Sequence, residues 1–254
     1  MKKYFFQVAS ILIFIFSIIG FSDNLFTDVG QNSNSDPKFI IHGLFCFAWV
    51  IILVIQTNFI RKRNIKAHMK LGIAGMVAAA GVFITTVYIF VVIYKGWDAM
   101  PYYVKSNRIF MPLFGIWVWL GYRNRKKPLL HKRFIYIATL YMLGPILDRA
   151  IDHFYLEKMF SEDVIYDVIV KVLWGLFFIF LFIYDWKTLR KVHPLSLVGA
   201  AIFVLPGSSL FTHKEAFFFS NINLFGEVVK YHPNYFIFIM PLTRTTNYLP
   251  ILPL

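Results

Sequence analysis

One cysteine, Cys46, occurs in 254 residues, so no disulfide can form within the chain. Charge is scarce, at 15% of residues, and acid is scarcer: 13 Asp and Glu stand against 26 Lys and Arg, for a formal net charge of +13. A Gly-rich phosphate loop, a nucleophile elbow, an HExxH pair and a paired-carboxylate site are all missing. So are the alternation by two of an outer-membrane barrel and the matched broken helices of many transporters. These absences exclude a domain stapled by intrachain disulfides and leave no motif of the common nucleotide-binding and hydrolytic families.

What fills the chain instead is apolar. Hydrophobic residues make up 58% and aromatics 19%, and the mean hydropathy is +0.62, too high for a soluble domain of this size. Phe, Ile, Lys, Asn and Tyr are all plentiful, the bias of an AT-rich coding sequence, so the aromatics alone define no cofactor box. Apolar stretches recur at Tyr4 to Phe21, Phe39 to Ile60, Leu71 to Tyr94, Ile109 to Tyr122, Phe134 to Ala150, Val164 to Trp186 and Leu195 to Leu210. Each is near the roughly 20 residues a helix needs to cross a bilayer, and without barrel alternation helices are the only way to satisfy the backbone in lipid. The sequence therefore predicts an all-α polytopic transmembrane bundle of about seven spans over residues 1–210. Residues 211–254 form a tail with scattered charge, frequent proline and no spanning run. Lys2, Lys3 and the apolar run behind them look like a signal peptide, but the run is longer than the usual h-region and is read as a retained anchor. Cys46 lies inside the second run, where packing is its expected role, and the small-residue stretch from Gly72 to Gly81 offers a face for close helix contact.

Charge sets the expected orientation. Lys2 and Lys3, five basic residues in 61–70, six in 123–133 and three in 187–191 make sixteen on one side. The opposite loops hold few bases and collect the acids, including Asp23, Asp28, Asp36, Asp98, Asp148 and Asp152. By the positive-inside rule the amino terminus is cytoplasmic and the basic side faces the anionic headgroups of that leaflet. Spread over three short loops and the terminus, the charge is not expected to bind nucleic acid.

On this topology His68, His131 and His193 fall at the cytoplasmic mouths of outward-running helices, in "AHMKLG", "LLHKRF" and "KVHPLS". His42 lies just inside the outer end of the second span and His153 at the outer end of the fifth, while His213 and His232 belong to the tail. An imidazole at a helix amino terminus feels the positive end of the helix dipole, which favours the neutral ring that a metal or haem iron requires. Pairs on facing helices can clamp haem b, His68 with His131 on the inner side and His42 with His153 on the outer. Alternatively His68, His131 and His193 can hold zinc with an open position for water, as in a metal-dependent membrane hydrolase. On a third reading the histidines cap helices or sit at headgroup depth, no cofactor is bound, and the chain is a non-enzymatic membrane component or carrier.

Other polar residues in apolar surroundings carry weaker expectations. Asp148, Arg149 and Asp152 share the end of the fifth run, where Arg149 is either a contact for an anionic group or haem propionate or a member of an interfacial ion pair. Asp167 and Lys171, four apart, read as a structural pair. Gln56 and Asn58 are candidates for hydrogen bonds between helices.

Taken in order, His42, Trp49, Gln56, His68 with Lys70, Leu71 and Gly72, then His131, Lys132 and Arg133, then Arg149, and finally Tyr184, Asp185, His193 and Pro194 resemble the pattern of a family of uncharacterised bacterial multi-pass membrane proteins. That pattern runs from a histidine opening a span, through Trp and Gln, to a basic loop closing in H-[RK]-[RK]-L-G, an HKR loop and a late YD…HP. Met69 departs from it, and the resemblance covers about residues 38–200. It implies the fold and a place in the bacterial inner membrane. A more distant similarity, to ascorbate-reducible di-haem cytochromes b with histidines on successive helices, implies haem b as the cofactor.

Overall fold

The computed structural model describes residues 4–27, 30, 32–94, 96, 100, 102–154, 159–161 and 164–204. The chain divides into Met1–Pro206 and Gly207–Leu254, and every described residue belongs to the first unit. The tail with His213 and His232, the bases Lys2 and Lys3, and the side chain of Asp167 lie outside the described residues. Helices follow one another without a strand among the described residues: α1 Phe5–Gly20, the short α2 Asn32–Ser35, α3 Pro37–Arg61, α4 Ile65–Val92, α5 Tyr102–Arg123, α6 Pro128–Tyr141, α7 Gly144–Asp152, α8 Lys171–Leu189 and α9 Pro194–Val204. A π-helical stretch, Ile165–Val170, leads into α8.

Local chemistry sets these boundaries. Asp36 accepts from Lys38 N at 3.1 Å and Pro37 follows it, an acceptor cap with a proline at the first helical position. Asn64 caps α4 through Ala67 N at 3.1 Å. Arg63 in the turn before it (φ 59°) and Arg190 after α8 (φ 61°) are left-handed, the conformation that stops a helix. At the other end of α4, Arg108 donates to the Phe90 carbonyl at 2.7 Å and stacks over the Phe90 and Tyr94 rings. It supplies both charge and a donor to a helix carboxyl end.

Three helical stretches, Pro37–Arg61, Ile65–Val92 and Val168–Leu189, are long and apolar enough to cross a membrane, and α6 with α7 makes a fourth if taken as one span bent by 48°. That is three to four, where the apolar runs predict seven. α1 is 16 residues long, about 24 Å at the rise of an α-helix against a hydrocarbon core of about 30 Å. α5 carries Lys105, Ser106, Asn107 and Arg108 in its first two turns and holds Pro112 within it, which dilutes its apolar character. α9 is 11 residues as far as it is described.

The bend between α6 and α7 follows from Pro145, which has no N–H for the Tyr141 carbonyl and whose ring would strike it. Trp174 of α8 closes over the break. Its indole donates to the Leu140 carbonyl, which also accepts from Leu143 N, at 2.7 Å, and a Cβ on Gly144 would stand 2.8 Å from its ring. Two tyrosines extend the same device: Tyr136 donates to Phe177 O at 3.0 Å and Tyr141 to Gly199 O at 2.9 Å, tying α6 to α8 and α9. α6 is accordingly the buried centre, with Ile137, Ala138 and Leu140 at 0% exposure, as are Phe114 and Leu181.

α3 and α4 form one hairpin and α5 and α6 another. Gly75, Ala78, Ala79 and Gly81 are buried as the small-residue stretch predicts, and a Cβ on Gly81 would run into the Phe45 ring of α3. α1 lies against α3 and α7 with Ala9, Ser10, Ile13, Ser17 and Gly20 buried, one face at helical spacing. At Gly20 an added Cβ would sit 2.8 Å from the Ile146 carbonyl, a backbone atom that cannot step aside.

Candidate functional site

His68 and His131 are each the fourth residue of a helix. His68 N bonds to Asn64 O at 3.1 Å and His131 N to Lys127 O at 3.0 Å, the opening bonds of α4 and α6. Their rings meet with centroids 6.2 Å apart and planes at 81°. His131 Nδ1 donates to the Gly121 carbonyl of α5 at 2.8 Å. This fixes the tautomer and leaves the Nε2 lone pair free, as in metal-bound imidazoles. His68 is held by its backbone: Gln56 Nε2 donates to His68 O at 3.0 Å, while His68 Nδ1 is buried with no hydrogen-bond partner. Gln56 Oε1 and Trp49 Nε1 are likewise buried and unpartnered. Trp49 and Gln56 lie seven residues apart on one face of α3, so a line of unmet polar atoms runs down that helix toward the pair. Buried polar atoms without partners are few in folded proteins, and their concentration here singles out this end of the bundle.

The other expected ligands lie elsewhere. His42 Nδ1 is 2.9 Å from Thr85 Oγ1, whose proton goes to Gly81 O at 2.7 Å, so the imidazole donates; its Nε2 is 3.4 Å from Cys46 Sγ. His153 Nδ1 donates to Arg149 O at 2.9 Å, and its Nε2 stands 2.8 Å from Ser22 Oγ and 3.4 Å from Asp23 Oδ1. Each is thus engaged by neighbours of its own, His42 joining α3 to α4 and His153 joining α7 to the end of α1. Arg149 donates to Asn24 at 3.0 Å and lies over the Phe21 ring, 4.8 Å away. Of the two amides expected to bridge helices, Gln56 does so, whereas Asn58 accepts from Arg61 of its own helix at 2.7 Å.

His193 belongs to a different cluster. Among the described residues no three His, Cys, Asp or Glu side chains are grouped to hold a metal ion, so His193 does not complete a ligand set with His68 and His131. It caps α9: its carbonyl accepts from Ser196 N at 2.9 Å and its Nδ1 from Leu195 N at 3.1 Å. The neighbouring Asp185, in the last turns of α8, is at 0% exposure, as is its ion-pair partner Arg133 of α6. Arg133 Nε and Nη2 both donate to Asp185 Oδ1, and Asp185 Oδ2 accepts from His193 N at 3.0 Å and Ser196 Oγ at 2.6 Å. Arg133 Nη1 donates to Leu129 O at 2.6 Å. One residue away, Lys132 donates to Tyr184 OH at 2.7 Å. The HKR and YD…HP motifs, 52 residues apart in the chain, are therefore one hydrogen-bonded cluster. Arg133 and Asp185 carry no metal-ligand or nucleophile signature, and their joint presence in the motif pattern was the only signal available before the fold was known.

Burial, and then the Arg133 guanidinium, lower the pKa of His193; Asp185 opposes this and Lys191 and Lys132 add to it. A ring whose folded pKa is depressed stays neutral in the folded chain while the unfolded chain takes up a proton, so stability is intact above the ordinary histidine range and falls as pH drops through it. His193→Asn, which keeps an acceptor at the cap, is expected to flatten the loss of thermal stability between about pH 7 and 5. Unfolding curves of the two proteins across that range check this, and parallel curves would remove His193 as the source.

The chain matches no family model, no curated protein and no solved structure.

Proposed function

We propose that the chain is a multi-pass protein of a bacterial inner membrane, with its amino terminus in the cytoplasm and about seven spans, and that it binds one b-type haem between His68 and His131 as a redox component. The membrane reading is supported by the three long apolar helices and the bent fourth; α1, α5 and α9 are the helices left to supply the remaining spans. A periplasm-active reporter fused near Asn32 is expected to be active and one near Asn64 silent, and the reverse pattern would invert the orientation.

The observation that carries the haem assignment is the 6.2 Å between the two imidazole centroids. Two imidazoles on opposite sides of one metal ion, with metal–nitrogen bonds of about 2.0 Å and a further ~1.1 Å from nitrogen to ring centre, would stand about 6.2 Å apart. Neighbouring ligands at a tetrahedral angle stand closer, at about 5 Å. His131, oriented by Gly121 O, offers Nε2, and the buried Nδ1 of His68, which has no other partner, completes the donor set. When bound, haem supplies a one-electron couple. His68 and His131 would hold the group, positioned by the Gln56 bond to the His68 backbone and the Gly121 bond to the His131 ring, and both rings are half-buried.

The test is an absorption spectrum of the protein purified in detergent, oxidised and then dithionite-reduced, with metal analysis on the same sample. A Soret band and a reduced α-band at one haem per chain are expected. Zinc at one per chain without haem would transfer the pair to a metal site, and a protein with neither would leave the histidines a structural role.

A further inference from the structure

The other large feature at this end of the bundle is a groove between α1 and α8. Phe5, Val8 and Leu12 form one wall and Phe177, Phe180 and Ile183 the other, enclosing a cavity of about 470 Å³ with Lys187 on its lining. Its size falls in the usual range of small-molecule sites, about 300–1,000 Å³. Apolar side chains line it almost throughout and several face outward, with Val8 52% and Phe180 45% exposed. In water so open an apolar cleft would be a liability; in a bilayer it is a berth for hydrocarbon.

Charge decides which hydrocarbon. The mouth of the groove is basic. Lys187 and, beyond it, Arg190 and Lys191 are exposed. The Lys132 ammonium lies over the rings of Phe6 and Tyr184, 5.6 and 5.0 Å from their centres. It gives one proton to Tyr184 OH at 2.7 Å, which leaves two of its three donors. The one acid in these turns of α8, Asp185, is engaged by Arg133 and by the start of α9. Phe5 and Phe6 pack on Tyr184 at 4.7 and 5.0 Å, fixing α1 against α8 so that the apolar walls and the basic mouth form one surface. An apolar slot ending in ammonium groups at the headgroup level fits an acyl chain carrying a phosphate.

We infer that an anionic phospholipid occupies this groove, one acyl chain between α1 and α8 and its phosphate on Lys187 and Lys132. The inference rests on the membrane reading but not on the haem one. It is tested on the full chain in detergent, washed to remove bulk lipid and then offered phosphatidylglycerol or phosphatidylcholine in mixed micelles, with retained phospholipid measured by phosphate assay and mass spectrometry. About one phosphatidylglycerol per chain is expected, with phosphatidylcholine displaced. Lys187→Glu should weaken phosphatidylglycerol retention on the order of thirtyfold, two charges' worth at the membrane surface. Val8→Trp, which fills the groove from an exposed position, should abolish retention while leaving the unfolding temperature in detergent near that of the parent. Equal retention of the two lipids, or retention unmoved by Val8→Trp, would overturn the assignment. So would a photo-crosslinker at Val8 that captures residues 207–254 or a second copy of the chain in place of lipid. Failure of the membrane reading shows separately, as a chain that stays in solution without detergent.

Discussion

Asp185→Ala is expected to lower stability by about 3–5 kcal/mol, a fall in unfolding temperature on the order of 10 °C or a protein that does not accumulate. The magnitude comes from what is left behind. Asp185 takes four donors, two from Arg133, one from the His193 backbone and one from Ser196. Removing it strands a guanidinium at 0% exposure, with only the Leu129 carbonyl still accepting from it. A buried pair is weak evidence of net stabilisation, since desolvating both ions offsets most of their attraction. What is costly is one partner without the other. The double replacement of Arg133 by Met and Asp185 by Leu is therefore expected to recover most of the loss, and the thermodynamic cycle to show strong coupling. Ser196→Ala, which removes one of the four donors, should cost about 1 kcal/mol. An Asp185→Ala protein that unfolds within about 2 °C of the parent would show that the pair is not closed in the membrane.

This cluster also shows what could and could not be read from the chain. The apolar runs predict an all-helical chain with helices of membrane-spanning length, whereas the 48° bend that Pro145 makes between α6 and α7 is not expected from them. The small-residue stretch in α4 announced the contact that Gly81 makes with Phe45. Span count was less legible, because an apolar run reports the composition of a segment and not whether one unbroken helix covers it, as α1 and the Pro112-containing α5 illustrate. Arg133 is the sharper lesson. Among the six bases of residues 123–133 it looked like one more topology signal, yet it is fully buried and paired, and its loop neighbours Arg123, Arg125, Lys126 and Lys127 are exposed. Composition cannot distinguish a base that marks the membrane face from one that neutralises an acid 52 residues away. The histidines divide in the same way: His68 and His131 share a position within their helices and meet, while His193, three helices on in the same kind of basic setting, is a cap because Pro194 starts the helix one residue later.

On the proposed haem assignment, either His68→Ala or His131→Ala should abolish the haem absorption bands outright, whereas His42→Ala and His153→Ala should leave them at the parent's intensity. The asymmetry is specific to the fold. All four histidines look equivalent as ligands in the sequence, but His42 and His153 spend their ring nitrogens on Thr85, Cys46, Ser22 and Arg149, and only His68 and His131 have rings in mutual contact with nitrogens to spare. Removing either imidazole would take away half of the donor set proposed to hold the haem. Gln56→Leu gives an intermediate test. It breaks the bond that positions the His68 backbone, and changes in such supporting contacts cost about 10- to 100-fold in metal affinity. The bands should therefore persist at saturating haem and be lost on dilution or competition with apomyoglobin, a signature that simple misfolding would not reproduce. Thermal unfolding of the apo forms separates the cases: His131→Ala frees the Gly121 carbonyl and should lose about 1 kcal/mol, far less than the ion-pair variant. If His42→Ala or His153→Ala bleached the protein as completely as His68→Ala, the axial pair would have to be sought elsewhere in the bundle. Bands intact in both His68→Ala and His131→Ala would remove these two residues from the site altogether.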